Sequence, residues 1–230
     1  MREKTTILIL TANPKNTNRL RIDEEVREIR ETLKGSSSRE RFDVQDRLAV
    51  RPKDIQQALL DVQPQIVQFS GHGVQDGLMI EDNAGQAMLA KPEALGNLFK
   101  LFPGQVECVF LNACFSQSQA EAIAAHVTYV IGMGSSIGDQ TACEFATGFY
   151  RGLGAGKTIP EAFEFGRNMI EFSEAATPVL LKRPIKDGAS FSTRMSGKNR
   201  RMCIAPKGAL AANFGCWRTR MIFAPRMSVL

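Results

Sequence analysis

The chain has 230 residues, 43% of them hydrophobic and 23% charged, which is globular composition for one sizeable domain and too short for two large ones. No uninterrupted apolar run approaches the roughly 18–20 residues that span a bilayer. The net charge of +5 divides unevenly: residues 184–230 hold nine basic residues and one acid, and residues 1–183 carry a net of −3.

The first 183 residues alternate strand and helix patterns. Thr5–Thr11 is a β-rich apolar run and reads as a first buried strand; its short apolar stretch, preceding acid and following Asn13-Pro14 argue against a signal peptide. Leu20–Lys34 places Ile22, Val26, Ile29 and Leu33 on one helical face. Phe42–Leu48 is a weaker strand, and Pro52 opens a helix through Val62. Gln65–Ser70 is a strand broken by Gly71-His72-Gly73. Leu78–Glu81 and Ala87–Leu89 read as a hairpin, and Pro92–Phe102 as a helix. Val106–Leu111 is apolar enough for a strand buried on both faces. A helix over Ser116–His126, a strand over Tyr129–Met133, helices over Asp139–Leu153 and Pro160–Phe172 and a last strand at Pro178–Leu181 complete the series. The alternation predicts an α/β domain over 1–183, with a mostly parallel central sheet and helices on both faces. Residues 184–230, rich in Ser, Gly, Met and Arg with the single Trp217, lack a clean period and read as a basic, poorly ordered extension. Such a segment can bind nucleic acid, but no nucleic-acid motif accompanies it, and nucleic acid is not the expected partner.

The five cysteines (Cys108, Cys114, Cys143, Cys203, Cys216) are odd in number with no C-x-x-C pair, and His72 and His126 are the two histidines. That excludes a regular disulfide framework and a Cys/His zinc site and fits reduced thiols in the cytoplasm.

Ligands of open α/β sheets bind beyond the carboxyl ends of the strands. His72 follows one predicted strand and Cys114 another, so parallel neighbours would bring an imidazole and a thiol to one edge, the layout of a base and a nucleophile. Cys114 stands just before a predicted helix, whose N-terminus favours negative charge on sulfur. Gly71 and Gly73 permit close backbone approach, and the N–H groups of Gly73 and Cys114 could face a developing oxyanion. Each feature also has a plain structural explanation: a histidine between glycines in a turn, and a cysteine as a small buried hydrophobe. Cys108 and Cys143 read as buried, and His126 as the end of a helix. Asp76 and Glu81 read as solvated hairpin residues, and Asn13 sits at the edge of the first strand.

The blocks ILILTANPKNTNRLRIDEEVREI, VQFSGHG, VFLNACFSQSQAEAIAAHVTYVIGM, IGDQTACEFATGFYRGLGAGKTIPEAFEFG and TPVLLK, in this order, resemble a CHAT domain over about residues 4–183. CHAT domains are cysteine peptidases related to caspases and separase. The resemblance implies a caspase-haemoglobinase fold with His72 and Cys114 as catalytic pair. It also implies Gly73 and Cys114 as oxyanion donors, a thioester intermediate, and no metal or organic cofactor. Asp139 opens a predicted helix at the same edge, where it serves as an N-cap and, by resemblance to separase-like proteins, as the acidic floor of a pocket for a basic residue preceding the cleaved bond. Asn112 matches a position that lines this pocket in caspases. Related domains act in bacterial signalling, defence and programmed death, usually under a sensor. The implied partners are therefore a protein substrate and a separate sensor or activator. The alternative is a non-catalytic signalling or scaffold module that uses the fold as a docking surface.

Overall fold

Thr5–Thr11 (β1) sends Ile7 and Ile9 to one side of a sheet and Leu8 and Leu10 to the other, all four fully buried or nearly so. That alternation sets the layering of the computed structural model, which describes residues 4–171 and 178–183. These lie within one compact unit that ends at Lys186. The basic extension with Cys203, Cys216 and Trp217 lies outside the described residues.

From the amino end, α1 (Ile22–Lys34), β2 (Phe42–Arg47), α2 (Pro52–Val62) and β3 (Ile66–Ser70) follow β1. Three short strands come next, β4 (Gly73–Val74), β5 (Gly77–Glu81) and β6 (Ala87–Ala90), then α3 (Pro92–Phe99) and β7 (Cys108–Asn112). The domain closes with α4 (Gln117–Ala124), β8 (Tyr129–Met133), α5 (Asp139–Gly154), α6 (Ile159–Ile170) and β9 (Pro178–Lys182). Six strands form the central sheet in the order β2-β1-β3-β7-β8-β9, parallel except for β9, which runs antiparallel to β8. The predicted hairpin gains a third strand, β4, immediately after His72, giving a small antiparallel sheet.

Each face of the sheet has its own core. Leu8, Val67, Phe69, Val109 and Leu111 pack under α2, α3 and α4. Ile7, Ile9, Ile66, Cys108 and Phe110 pack under α1, α5 and α6. In the second core Phe110 meets Phe145 and Phe149 edge-on at 5.5 and 5.4 Å, an arrangement that adds to the transfer energy of burial. α5 and α6 approach closely because Gly152 faces Ala162, where a Cβ would lie 2.8 Å from the Ala162 Cα.

Several boundaries move inward for local reasons. α1 starts at Ile22 because the backbone N–H and C=O of Leu20 are both bound by the Asn13 side chain. α3 stops at Phe99, ahead of Phe102-Pro103, since proline disfavours helical backbone in the residue before it. α4 starts after Ser116, whose hydroxyl donates to Leu111 C=O and accepts from Met133 N–H, bolting β7 to β8. α6 starts earlier than predicted, at Ile159, behind a Thr158–Glu161 capping box. Among the described residues no helix is long and apolar enough to cross a membrane.

Candidate active site

β3 and β7 are parallel neighbours in a register that pairs Ser70 with Asn112. His72 and Cys114 each lie two residues beyond these partners, so the sheet delivers both to its carboxyl edge, as the sequence predicts. Gly73 supplies a second link between the two loops. A Cβ there would overlap the Cys114 carbonyl oxygen and stand 3.1 Å from the Ala113 Cβ. Only glycine permits this backbone-to-backbone approach.

The ring of His72 is oriented by the 12–21 segment between β1 and α1. His72 Nε2 lies 2.6 Å from the Asn18 carbonyl oxygen. A carbonyl only accepts, so Nε2 carries the hydrogen and Nδ1 is the basic nitrogen of the neutral ring. The segment is itself braced. The Asn13 side chain closes on Leu20, Asn13 N–H donates to Glu81 Oε1 at 3.2 Å, and Lys15 N–H donates to Gly85 C=O at 2.9 Å. Glu81 is therefore engaged in holding this segment, beyond the solvated role its hairpin position suggests. Asp76 is exposed.

Cys114 is partly exposed. Its sulfur accepts from Ile137 N–H at 3.4 Å and lies 3.5 Å from the Ile137 carbonyl, the acceptor available to an S–H. The next residue, Phe115, has φ of 52°, a left-handed conformation uncommon for an aromatic residue, fixed by its N–H donating to Ser135 C=O at 3.1 Å. α4 begins three residues after Cys114. The other described cysteines are buried. Burial is the main cause pushing the Cys143 thiol up to about 12, and it moves Cys108 further upward.

Asp139 stands at the same edge but does not cap α5. The N-cap is Gly138, Asp139 is the first helical residue, and its carboxylate turns to Arg21. Oδ2 of Asp139 accepts from Arg21 N–H at 3.2 Å and from Arg21 Nε at 3.4 Å, so an arginine of the chain itself covers this acid. Asn112 is 4% exposed, and its Nδ2 donates to Ala142 C=O at 3.1 Å and to Glu25 Oε1 at 2.8 Å.

Glu25 is the residue that sequence reasoning missed. It lies on the buried face of α1, 5% exposed. Its Oε1 accepts from Gln68 Nε2 at 2.5 Å, Ser70 Oγ at 2.8 Å and Asn112 Nδ2. Burial raises its pKa to about 7, opposed by the three hydrogen bonds and reinforced by the charge of Asp139. The signal was present in the sequence: Glu25 occupies a core position of the Ile22, Val26, Ile29, Leu33 stripe. Among the described residues no group of three or more His, Cys, Asp or Glu side chains is placed to hold a metal.

Residues 2–169, nearly three quarters of the chain, match the CHAT domain family. The chain belongs to the CHAT domain family. A protein of Gillisia limnaea named "Probable protease" is 24% identical to this CHAT chain over 172 residues, covering 73% of the chain and 30% of that protein. The CHAT chain thus spans less than a third of that relative. Among solved structures it is similar to a secreted C11 cysteine protease from Bacteroides thetaiotaomicron in complex with an irreversible peptide inhibitor (TM-score 0.54, 12% identity, 74% of this chain and 58% of that one). It is also similar to an inactive zymogen C11 protease from Parabacteroides distasonis (0.53, 14%, 80% and 63%) and to the Arg-specific cysteine proteinase gingipain R (0.53, 14%, 78% and 46%). These likenesses show that the CHAT domain has the caspase-like fold expected from its sequence.

Proposed function

We propose that this CHAT domain is a cysteine endopeptidase acting on another protein, with Cys114 as nucleophile and His72 as general acid and base. The observation that carries the reading is the seating of His72. Its Nε2–H is tied to the Asn18 carbonyl, which leaves Nδ1 basic in a loop that Gly73 backs onto Cys114.

In this reading Nδ1 takes the Cys114 proton and the sulfur attacks the scissile carbonyl carbon. The oxyanion is received by the N–H groups of Gly73 and Cys114. Collapse breaks the C–N bond, and the imidazolium gives its proton to the leaving amine. Water, deprotonated by the neutral ring, then hydrolyses the thioester. Asp139, with Asn112, selects a basic residue before the cleaved bond. Asp139 at the sheet edge supports this selection, as does the present attachment of a guanidinium to it. The setting that best fits the family is a bacterial signalling or defence and cell-death pathway in the cytoplasm, switched on by a separate sensor or activator protein.

The test is incubation of the full chain and its Cys114→Ala variant with a peptide mixture, read by mass spectrometry. Cuts after Arg or Lys that require Cys114 are expected. Absence of cuts, together with absence of Cys114 labelling by a peptidyl acyloxymethyl ketone, would overturn the peptidase reading in favour of a docking module.

A further inference from the structure

The charge at the selective end of the site does not rest where its position suggests. Asp139 is half-exposed and already balanced by Arg21. Glu25 is buried, and among the described residues no basic side chain pairs with it. It is instead the shared acceptor of Gln68, Ser70 and Asn112. Two of those donors leave their other ends unsatisfied: among the described residues, the buried acceptors Asn112 Oδ1 and Gln68 Oε1 have no hydrogen-bond partner. With the amide donors spent on Glu25, the groups left open beside the carboxylate are acceptors. A buried anion without a counter-ion is costly, and such an arrangement is completed by a cation bearing several N–H donors.

We infer that Glu25 is the principal anion of the pocket that selects a cationic residue before the cleaved bond, acting with Asn112 beneath the Arg21–Asp139 pair. This rests on the peptidase reading and moves the selecting charge from Asp139 to a residue on α1. The cluster reaches the sheet edge through Asn112, whose Nδ2 also binds the Ala142 carbonyl in the same first turn of α5 as Asp139. The arriving guanidinium or ammonium displaces Arg21 at the mouth and meets the uncompensated carboxylate within.

The raised pKa of Glu25 is what an anion awaiting its counter-ion would have. Selectivity for a cation therefore increases with pH through about 7. The ionisable groups that interact with Glu25 are Asp139, Cys143 and Tyr150, all on α5; Arg21, just before α1, pairs with Asp139. Cys143 and Tyr150 are both held protonated by burial at neutral pH. A rate change common to both substrates cancels from a ratio.

The experiment compares peptides with arginine or its neutral isostere citrulline before the cleaved bond. For the full chain at pH 8, kcat/KM should favour arginine about 100-fold or more, the scale of a lost charged hydrogen-bond partner. Glu25→Gln should bring the ratio, from which any loss common to both peptides cancels, to within about threefold of unity. Glu25→Asp should retain most of the preference. If Glu25→Gln fails to fold, the wild-type ratio still has to fall about tenfold between pH 8 and pH 6. A second arm measures 4-aminobenzamidine binding by fluorescence to Cys114→Ala, where no turnover is needed. Binding should weaken at least tenfold on adding Glu25→Gln. An arginine preference that survives Glu25→Gln and collapses in Asp139→Asn would overturn the inference and leave the peptidase standing. Amidine binding that requires Glu25 in a chain that neither cuts nor labels would uphold the cation site and sink the peptidase.

Discussion

Ser70 and Asn112, partners in register on β3 and β7, both donate to the same oxygen, Oε1 of Glu25. His72 and Cys114 lie two residues beyond them, so one carboxylate on α1 holds together the strand ends that carry the thiol and the imidazole. The two loops of the proposed dyad thus share a foundation on the α1 side of the sheet.

That foundation is sensitive to pH. Glu25 has a folded pKa of about 7 against an ordinary value of 4.5. Its contribution to stability is full below about 4.5 and is lost as pH rises through 7, by roughly 3 kcal/mol for such a shift. Glu25→Gln should flatten the fall of Tm between pH 5 and pH 8. At pH 8 it should melt higher than the wild type, because the new amide can donate to the unpartnered oxygen of Gln68 or Asn112. Parallel Tm profiles for the two proteins would show that Glu25 does not titrate in this range.

Gly73→Ala should separate the two loops. The added Cβ overlaps the Cys114 carbonyl, and displacements on the scale of an ångström cost about 100-fold in rate. The expected result is a loss of that order in kcat/KM, with far-UV circular dichroism retained. Near-normal turnover would show that the loops accommodate a methyl group, and that their close approach is not needed.

Thiol chemistry should single out Cys114. At pH 7, a thiol with a pKa of about 12 is ionised in only about one molecule in 10⁵, and Cys108 is more deeply buried still. Brief iodoacetamide treatment followed by peptide mapping should find alkylation at Cys114 before Cys143 or Cys108. Modification of Cys143 first would mean that α5 opens readily.

Arg21→Ala should expose Asp139 at the mouth of the site. The pair is solvent-exposed, so little change in Tm is expected. A cationic substrate would no longer have to displace the internal arginine, and kcat/KM for arginine peptides should rise a few-fold through KM. A fall instead would mean that Arg21 helps to seat the substrate.

Much of this was legible in the residues. Short apolar runs marked β1, β3, β7 and β8, and the 3.6-residue period marked α1, each to within two residues, because the strands are buried on both faces and the helix on one. The edge placement of His72 and Cys114 followed from parallel topology alone. Glu25 escaped because an acid within an apolar stripe reads as an interruption of it. The partners that make burial tolerable, Gln68, Ser70 and Asn112, lie 43 to 87 residues away. Asp139 was assigned a cap that Gly138 provides, since sequence spacing does not reveal that Arg21 competes for its carboxylate. Likewise β4 has two residues and no period to detect.

The segment 12–21 touches the site twice, through the Asn18 carbonyl on His72 and through Arg21 on Asp139. In the proposed enzyme, one stretch of backbone therefore governs both the proton-transfer group and the gate to the selecting acid. A tug on that stretch, from a bound protein or from a break in the chain, would move both together. Turnover and discrimination would then rise and fall as one quantity, and a switch for this enzyme would need to grip no more than these ten residues.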